Sequence, residues 1–136
     1  MTRNTLLTAA LLLPGLVAAQ ETNADEGIEW VTGAELADAI KAGAGLIVVD
    51  VRSESSYKRG HIPGAISIPL TVIQSNTEVG LKPEDMIVFY CDCGHGGIAL
   101  TAARIMRDRG YPNLWVLIGG TREYPEALEV SPDYEQ

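Results

Sequence analysis

An α/β fold with a mainly parallel sheet flanked by helices follows from three features of the sequence. Short β-branched and aromatic runs alternate along the chain with segments of helical periodicity, the pattern of strand–helix–strand units. Leu46-Ile47-Val48-Val49-Asp50-Val51 is nearly continuous in apolar residues, as suits a strand covered on both faces. Met86-Ile87-Val88-Phe89-Tyr90 is a second such run, and a glycine-rich loop and an amphipathic helix follow it at once. Catalytic loops in this class lie at the carboxyl ends of strands.

Taken in order, Ile28 to Val31 reads as a short strand. Thr32 is a good N-cap and Glu35 completes a capping box, so a helix runs from about Gly33 to Ala42 and ends at Gly43 and Gly45. The strand Leu46–Val51 leads to a short helix over 53–58, capped by Ser53. Gly60 to Ala65 is a turn, Ile66 to Ile68 a strand closed by Pro69, and Thr71 to Ser75 a short helix. Residues 76–85 are polar and loop-like. After the strand 86–90, Ile98, Ala99, Ala102, Ala103, Ile105 and Met106 recur at helical spacing, and the helix stops at Gly110 before Pro112. Asn113 to Ile118 is the last strand. Gly119-Gly120 breaks it, and one or two closing helical turns are expected over Thr121–Leu128.

The chain has 136 residues, enough for one domain with its own core. Its formal charge is −8, with no basic cluster, which argues against nucleic acid or an anionic membrane surface as a partner. Residues 1–19 read as a signal peptide. Arg3 is the positive flank, Leu6 to Leu16 an apolar core too short to span a membrane, and Val17-Ala18-Ala19 a small-residue cleavage site. The expected mature protein is periplasmic or secreted, with no membrane insertion after cleavage. Residues 20–27 are expected to form a flexible leader, 28–130 the domain and 131–136 a C-terminal tail. An exported protein meets an oxidising compartment, and both cysteines of this one, Cys91 and Cys93, lie two positions apart.

Those cysteines sit in the loop Cys91-Asp92-Cys93-Gly94-His95-Gly96-Gly97. A strand–loop–helix unit of this kind presents backbone N–H groups and the positive end of a helix dipole to an anion. The expectation is a partly exposed Cys91 whose thiolate is stabilised there, fit to be a nucleophile or a carrier of sulfur. Cys93 has three readings: a thiol that resolves or relays whatever Cys91 carries, a partner in a reducible disulfide, or a loop filler. His95 is read as a donor to bound sulfur, a general acid, a third soft-metal ligand beside the cysteines, or an exposed residue with no role. The ligand spacing is nonstandard, and neither a metal nor a cofactor is expected.

Three segments then resemble the rhodanese (sulfurtransferase) domain, in the family's order. They are Val49-Asp50-Val51-Arg52 with Tyr57-Lys58-Arg59-Gly60-His61-Ile62-Pro63-Gly64-Ala65, the strand ending in Cys91 with its loop and helix, and Val116-Leu117-Ile118-Gly119-Gly120 with Tyr124 where the family usually has Trp. The resemblance covers about residues 28–129. It implies a central five-stranded parallel sheet. It also implies a sulfurtransferase in which Cys91 accepts a sulfane sulfur as a persulfide and passes it to a nucleophile, with residues 92–97 as the substrate-binding loop. The donor would be a small-molecule or protein persulfide, and the acceptor a thiol.

The family's common loop is C-x-x-G-x-R-S. This one has no Arg or Lys, and its length resembles the subgroup beginning C-x-C-P, with Gly94 in place of the proline. The loop Arg would help to bind dianionic thiosulfate, so a neutral or protein-borne donor is expected in preference to classical thiosulfate:cyanide chemistry. A thiol-disulfide redox protein using Cys91 and Cys93, or a non-catalytic binding module, is the alternative. A related cysteine phosphatase would need Arg at position 97, which is Gly. Asp50 and Arg52 read as a supporting charged pair, with Arg52 also within possible reach of the site mouth. His61 reads as a packed turn residue. Trp30, Trp115, Tyr124 and Ile98 read as core.

Overall fold

The computed structural model describes residues 23–134. The expected signal peptide therefore lies outside the described residues. Five strands form one sheet: β1 (Ile28–Val31), β2 (Ile47–Asp50), β3 (Ile66–Ser67), β4 (Ile87–Tyr90) and β5 (Leu114–Leu117). Their spatial order is β1-β5-β4-β2-β3, and every pairing is parallel. The helices are α1 (Gly33–Lys41), α2 (Glu54–Arg59), α3 (Leu70–Gln74) and α4 (Gly97–Asp108). The capping box expected at α1 is formed: Glu35 N–H donates to Thr32 Oγ1 at 3.1 Å and Thr32 N–H to the Glu35 carboxylate at 3.2 Å.

Strand β4 lies in the middle of the sheet, and all four of its residues are buried. Alternation along the strands divides the core. Val49, Ile87, Phe89, Leu114 and Val116 pack with Ala99, Ala102, Ala103 and Met106 of α4 on one face. Val48, Val88, Tyr90 and Leu117 pack with Leu36 and Ala37 of α1, Ile62 and Tyr124 on the other. Burying a side chain such as Phe89 contributes about 1.5–3 kcal/mol. From β2 the chain moves outward to β3, and from β4 it moves the other way to β5. The ends of β2 and β4 thus flank a point where the winding reverses, which is where open α/β sheets hold their ligands.

Two expectations need correction, and both ends of the described chain make contacts of their own. The closing helix over 121–128 is a single 3₁₀ turn, Gly120–Glu123. Gly119 and Gly120 adopt left-handed φ of 80° and 60°, Pro125 removes a backbone donor, and the chain then extends to Glu129, which pairs with His61 through two 2.9 Å backbone bonds. Residues 23–27 of the expected leader form a turn fastened to α4, with Asp25 accepting from Arg104 at 2.6 Å. The tail is tied as well: Ser131 N–H donates to Lys58 O at 2.9 Å, and Asp133 pairs with Lys58 at 2.7 Å. Trp30 and Ile98, read as core, are 42% and 43% exposed. No helix of the described residues is long and apolar enough to cross a membrane.

Candidate active site

The site is assembled on the carboxyl end of β4. Cys91 follows Tyr90 directly and is only 2% exposed, so the partly exposed thiol expected there is instead covered. The chain then turns away from the sheet. Cys93 is half-buried, its carbonyl accepts from Gly96 N–H at 2.7 Å, and Gly96 takes the left-handed conformation (φ 65°) that caps α4. Glycine is required there twice over. The conformation disfavours a side chain, and a Cβ would stand 3.2 Å from the Trp30 ring. Gly94, His95 and Gly97 form the exposed rim.

Cys91 and Cys93 are joined as a disulfide, with their Cα atoms 5.6 Å apart. Of the three readings of Cys93, the structure holds the disulfide. The N–H of Ile98, in the first turn of α4, points at Cys93 Sγ at 3.4 Å. The hydrogen bond from the helix end thus goes to Cys93, and Cys91 Sγ is bonded to that same sulfur. A two-residue excursion from the strand brings Cys93 Sγ to that donor.

Asp92 is counted in the substrate-binding loop by its sequence position, but its carboxylate is turned inward as a clamp. Oδ1 accepts from the Thr121 N–H at 2.9 Å and its hydroxyl at 2.8 Å, and Oδ2 from Arg52 at 2.8 Å. Burial opposes ionisation of Asp92, yet these donors outweigh it and hold the carboxyl below its ordinary value. All three guanidinium nitrogens of Arg52 donate in turn. Nε and Nη2 donate to Asp50, Nη2 also to Gly60 O at 2.7 Å, and Nη1 to Asp92. Asp50, 0% exposed, also accepts from Tyr90 Oη at 2.8 Å, while Tyr90 Oη receives Ile62 N–H at 3.1 Å. Burial and the adjacent Asp50 carboxylate push the Tyr90 phenol well above its usual value.

Asp50 and Arg52 form the charged pair the sequence suggests, and each guanidinium nitrogen of Arg52 donates at least once, Nη1 through one of its two N–H groups. The participants that sequence reasoning missed are Thr121, Tyr90 and the Gly60 carbonyl. They come from three separate segments, and only the fold brings them together. Gly120 also belongs here, because a Cβ on it would collide with the Cys91 carbonyl oxygen and Asp92. His61 is buried as expected, with Nδ1 2.8 Å from Tyr57 O and its ring stacked on Tyr57 at 3.8 Å.

Two clefts flank the loop. One, of about 310 Å³, is lined by Val51, Arg52, Ser53, Pro69, Leu70, Thr71 and Ile98. The other, of about 360 Å³, is lined by Arg52, Ser56, Arg59, Gly60, Asp92 and Leu128. Ile98 links the first cleft to Cys93, and Asp92 links the second to the cysteine loop. Among the described residues, no three His, Cys, Asp or Glu side chains are grouped to hold a metal ion.

A parallel five-stranded α/β domain with a cysteine at the end of its central strand is the architecture that the three sequence blocks imply. The chain belongs to the rhodanese-like domain family, whose model matches residues 32–127. It is similar to the BH2092 protein of Bacillus halodurans, with 36% identity, a TM-score of 0.68, and coverage of 76% of this chain and 77% of that one. It is similar to the human single-domain sulfurtransferase TSTD1, with 30% identity, a TM-score of 0.61, and coverage of 71% and 96%. A tRNA sulfurtransferase of Desulfurococcus amylolyticus is 40% identical over 83 residues, but those span 16% of its length and 61% of this chain.

Proposed function

We propose that this protein is a sulfurtransferase that carries sulfane sulfur as a persulfide on Cys91 and passes it to a thiol. The observation that carries the reading is the position of Cys91. It ends the central buried strand of a rhodanese-like sheet, at the point where the winding reverses. Cys91 Sγ adjoins the Cys93 sulfur at the N-terminus of α4, where backbone N–H groups favour an anion. Donor choice follows from charge. The loop has no cation, and the charge of Arg52 is offset by its pairing with Asp50 and Asp92, so a dianion such as thiosulfate meets no unpaired positive group in the loop. The cleft beside Ile98, apolar apart from Arg52, Ser53 and Thr71, suits a persulfide on a small organic thiol or a protein. The Cys91→Ser protein, assayed for transfer from glutathione persulfide to an acceptor thiol, should fall to the uncatalysed rate. Retention of the wild-type rate would remove Cys91 from the mechanism.

A second reading is a thiol-disulfide redox protein, and the Cys91–Cys93 disulfide favours it. Under that reading Cys93→Ala abolishes disulfide reductase activity, while sulfur transfer was never present to lose. Export, read from the apolar run near the N-terminus, is part of the proposal and supplies the oxidising surroundings in which such a pair persists. A mature protein recovered from the cell envelope with Gln20 as its first residue supports it, and a cytoplasmic protein retaining residues 1–19 contradicts it.

A further inference from the structure

We propose that Cys93 discharges the Cys91 persulfide from within, releasing hydrosulfide and leaving the Cys91–Cys93 disulfide, so that the protein is a sulfane-sulfur reductase as well as a carrier. The inference rests on the persulfide reading above and adds a product and an electron source to it.

A persulfide has two sulfurs, and the one that is attacked decides the outcome. Attack on the outer sulfur merely moves it to the attacking thiol. Attack on the inner sulfur, Cys91 Sγ, expels the outer one. The disulfide shows that Cys93 Sγ reaches Cys91 Sγ itself, and the 5.6 Å Cα separation is ordinary for a bridged pair. The step balances. Cys93–SH and the Cys91 perthiolate give the Sγ–Sγ bond and HS⁻. The Cys91 Sγ–sulfur bond breaks, the Cys93 proton leaves on the hydrosulfide, two thiol-level sulfurs are oxidised to a disulfide, and the sulfane sulfur is reduced to sulfide.

The surroundings favour Cys93 as the attacking group. The Ile98 N–H at 3.4 Å lies against its sulfur at the positive end of the twelve-residue helix α4, which stabilises the thiolate that must form. Cys93 is half-buried while Cys91 is 2% exposed, so an external thiol meets a covered inner sulfur and the internal thiol is already beside it. The same contrast makes Cys93 Sγ the entry point for the dithiol reductant, small-molecule or protein, that must reset the pair after each turnover. Such a reductant is oxidised to its own disulfide as the two thiols are restored.

The test is a single turnover. Fully reduced protein is freed of reductant, mixed with one equivalent of glutathione persulfide, and quenched with monobromobimane. Trapped sulfide and intact mass are then read together. The proposal expects about one equivalent of sulfide per chain and a chain lighter by two hydrogens. Cys93→Ser should take up one sulfur and hold it, with sulfide release slowed by about tenfold or more. A wild-type chain that keeps the added sulfur on Cys91 and releases no sulfide overturns the inference and leaves the carrier reading standing; sulfur mapped to Cys93 without sulfide release also overturns the inference, because the outer sulfur is then the one attacked. If neither wild type nor Cys93→Ser takes up sulfur at all, the carrier reading falls, and this inference with it.

Discussion

At the scale of single residues the most consequential group is Asp50. It is fully buried and accepts from Arg52, Tyr90 and the Arg52 backbone N–H. Removing one side of a buried pair leaves an uncompensated charge, so Asp50→Ala should lower unfolding stability by about 3–5 kcal/mol in denaturant titrations. Asp50→Asn, which keeps the shape and part of the hydrogen bonding, should cost less. Asp92 gives a pH signature. Its folded-state carboxyl titrates below the ordinary aspartate range, so its contribution is complete above about pH 4 and is lost as the pH falls through the lower folded value. The stability gap between wild type and Asp92→Asn should thus be widest near neutrality and close in acid. A gap independent of pH would mean that the carboxylate is not held by Arg52 and Thr121.

At the scale of elements, the β4–loop–α4 unit is fixed from outside as well as by its own glycines. Gly120, in the 3₁₀ turn after β5, lies so close that any Cβ meets the Cys91 carbonyl. Gly120→Ala should cost about 1–2 kcal/mol from its left-handed backbone alone, and more from the collision. The loss of sulfur transfer should exceed what the drop in folded fraction explains, because the displaced atoms belong to the cysteine loop. Trp30 performs a related service by covering Gly96 while staying 42% exposed. Hydrophobicity alone could not show this, since a tryptophan on an edge strand reads as core whether it faces inward or leans over a loop.

At the scale of the whole molecule, much was legible in the sequence. The uninterrupted apolar run through Val48 and Val49, and the strand–loop–helix unit after Phe89, sufficed for a parallel α/β sheet, and the Thr32–Glu35 capping box for the start of α1. What was not legible had a common physical cause. Gly120 against Cys91, Thr121 on Asp92 and Tyr90 on Asp50 are contacts between distant segments, and periodicity carries no information about them. Sequence position puts Asp92 in the loop but does not show that its carboxylate turns toward Arg52 and Thr121. Adjacency to α4 does not show that the helix-end N–H goes to the Cys93 sulfur. The disulfide closes only a very short loop, so its contribution through chain entropy is small, about 1–2 kcal/mol. Thermal or denaturant unfolding should therefore remain cooperative when the pair is reduced, as the proposed cycling between the two forms requires. Loss of the folded state on reduction would make the disulfide a structural staple instead.

The central claim is that Cys91 is the sulfur-carrying atom, and one measurement tests it most directly. Reduced Cys93→Ser protein, in which internal discharge is blocked, is exposed to glutathione persulfide, and its intact mass and peptide map are read without reductant. The account predicts a gain of one sulfur, located on Cys91, reversed by added thiol and absent when Cys91→Ser is combined with Cys93→Ser. No gain, or an equal gain in the double variant, would contradict it.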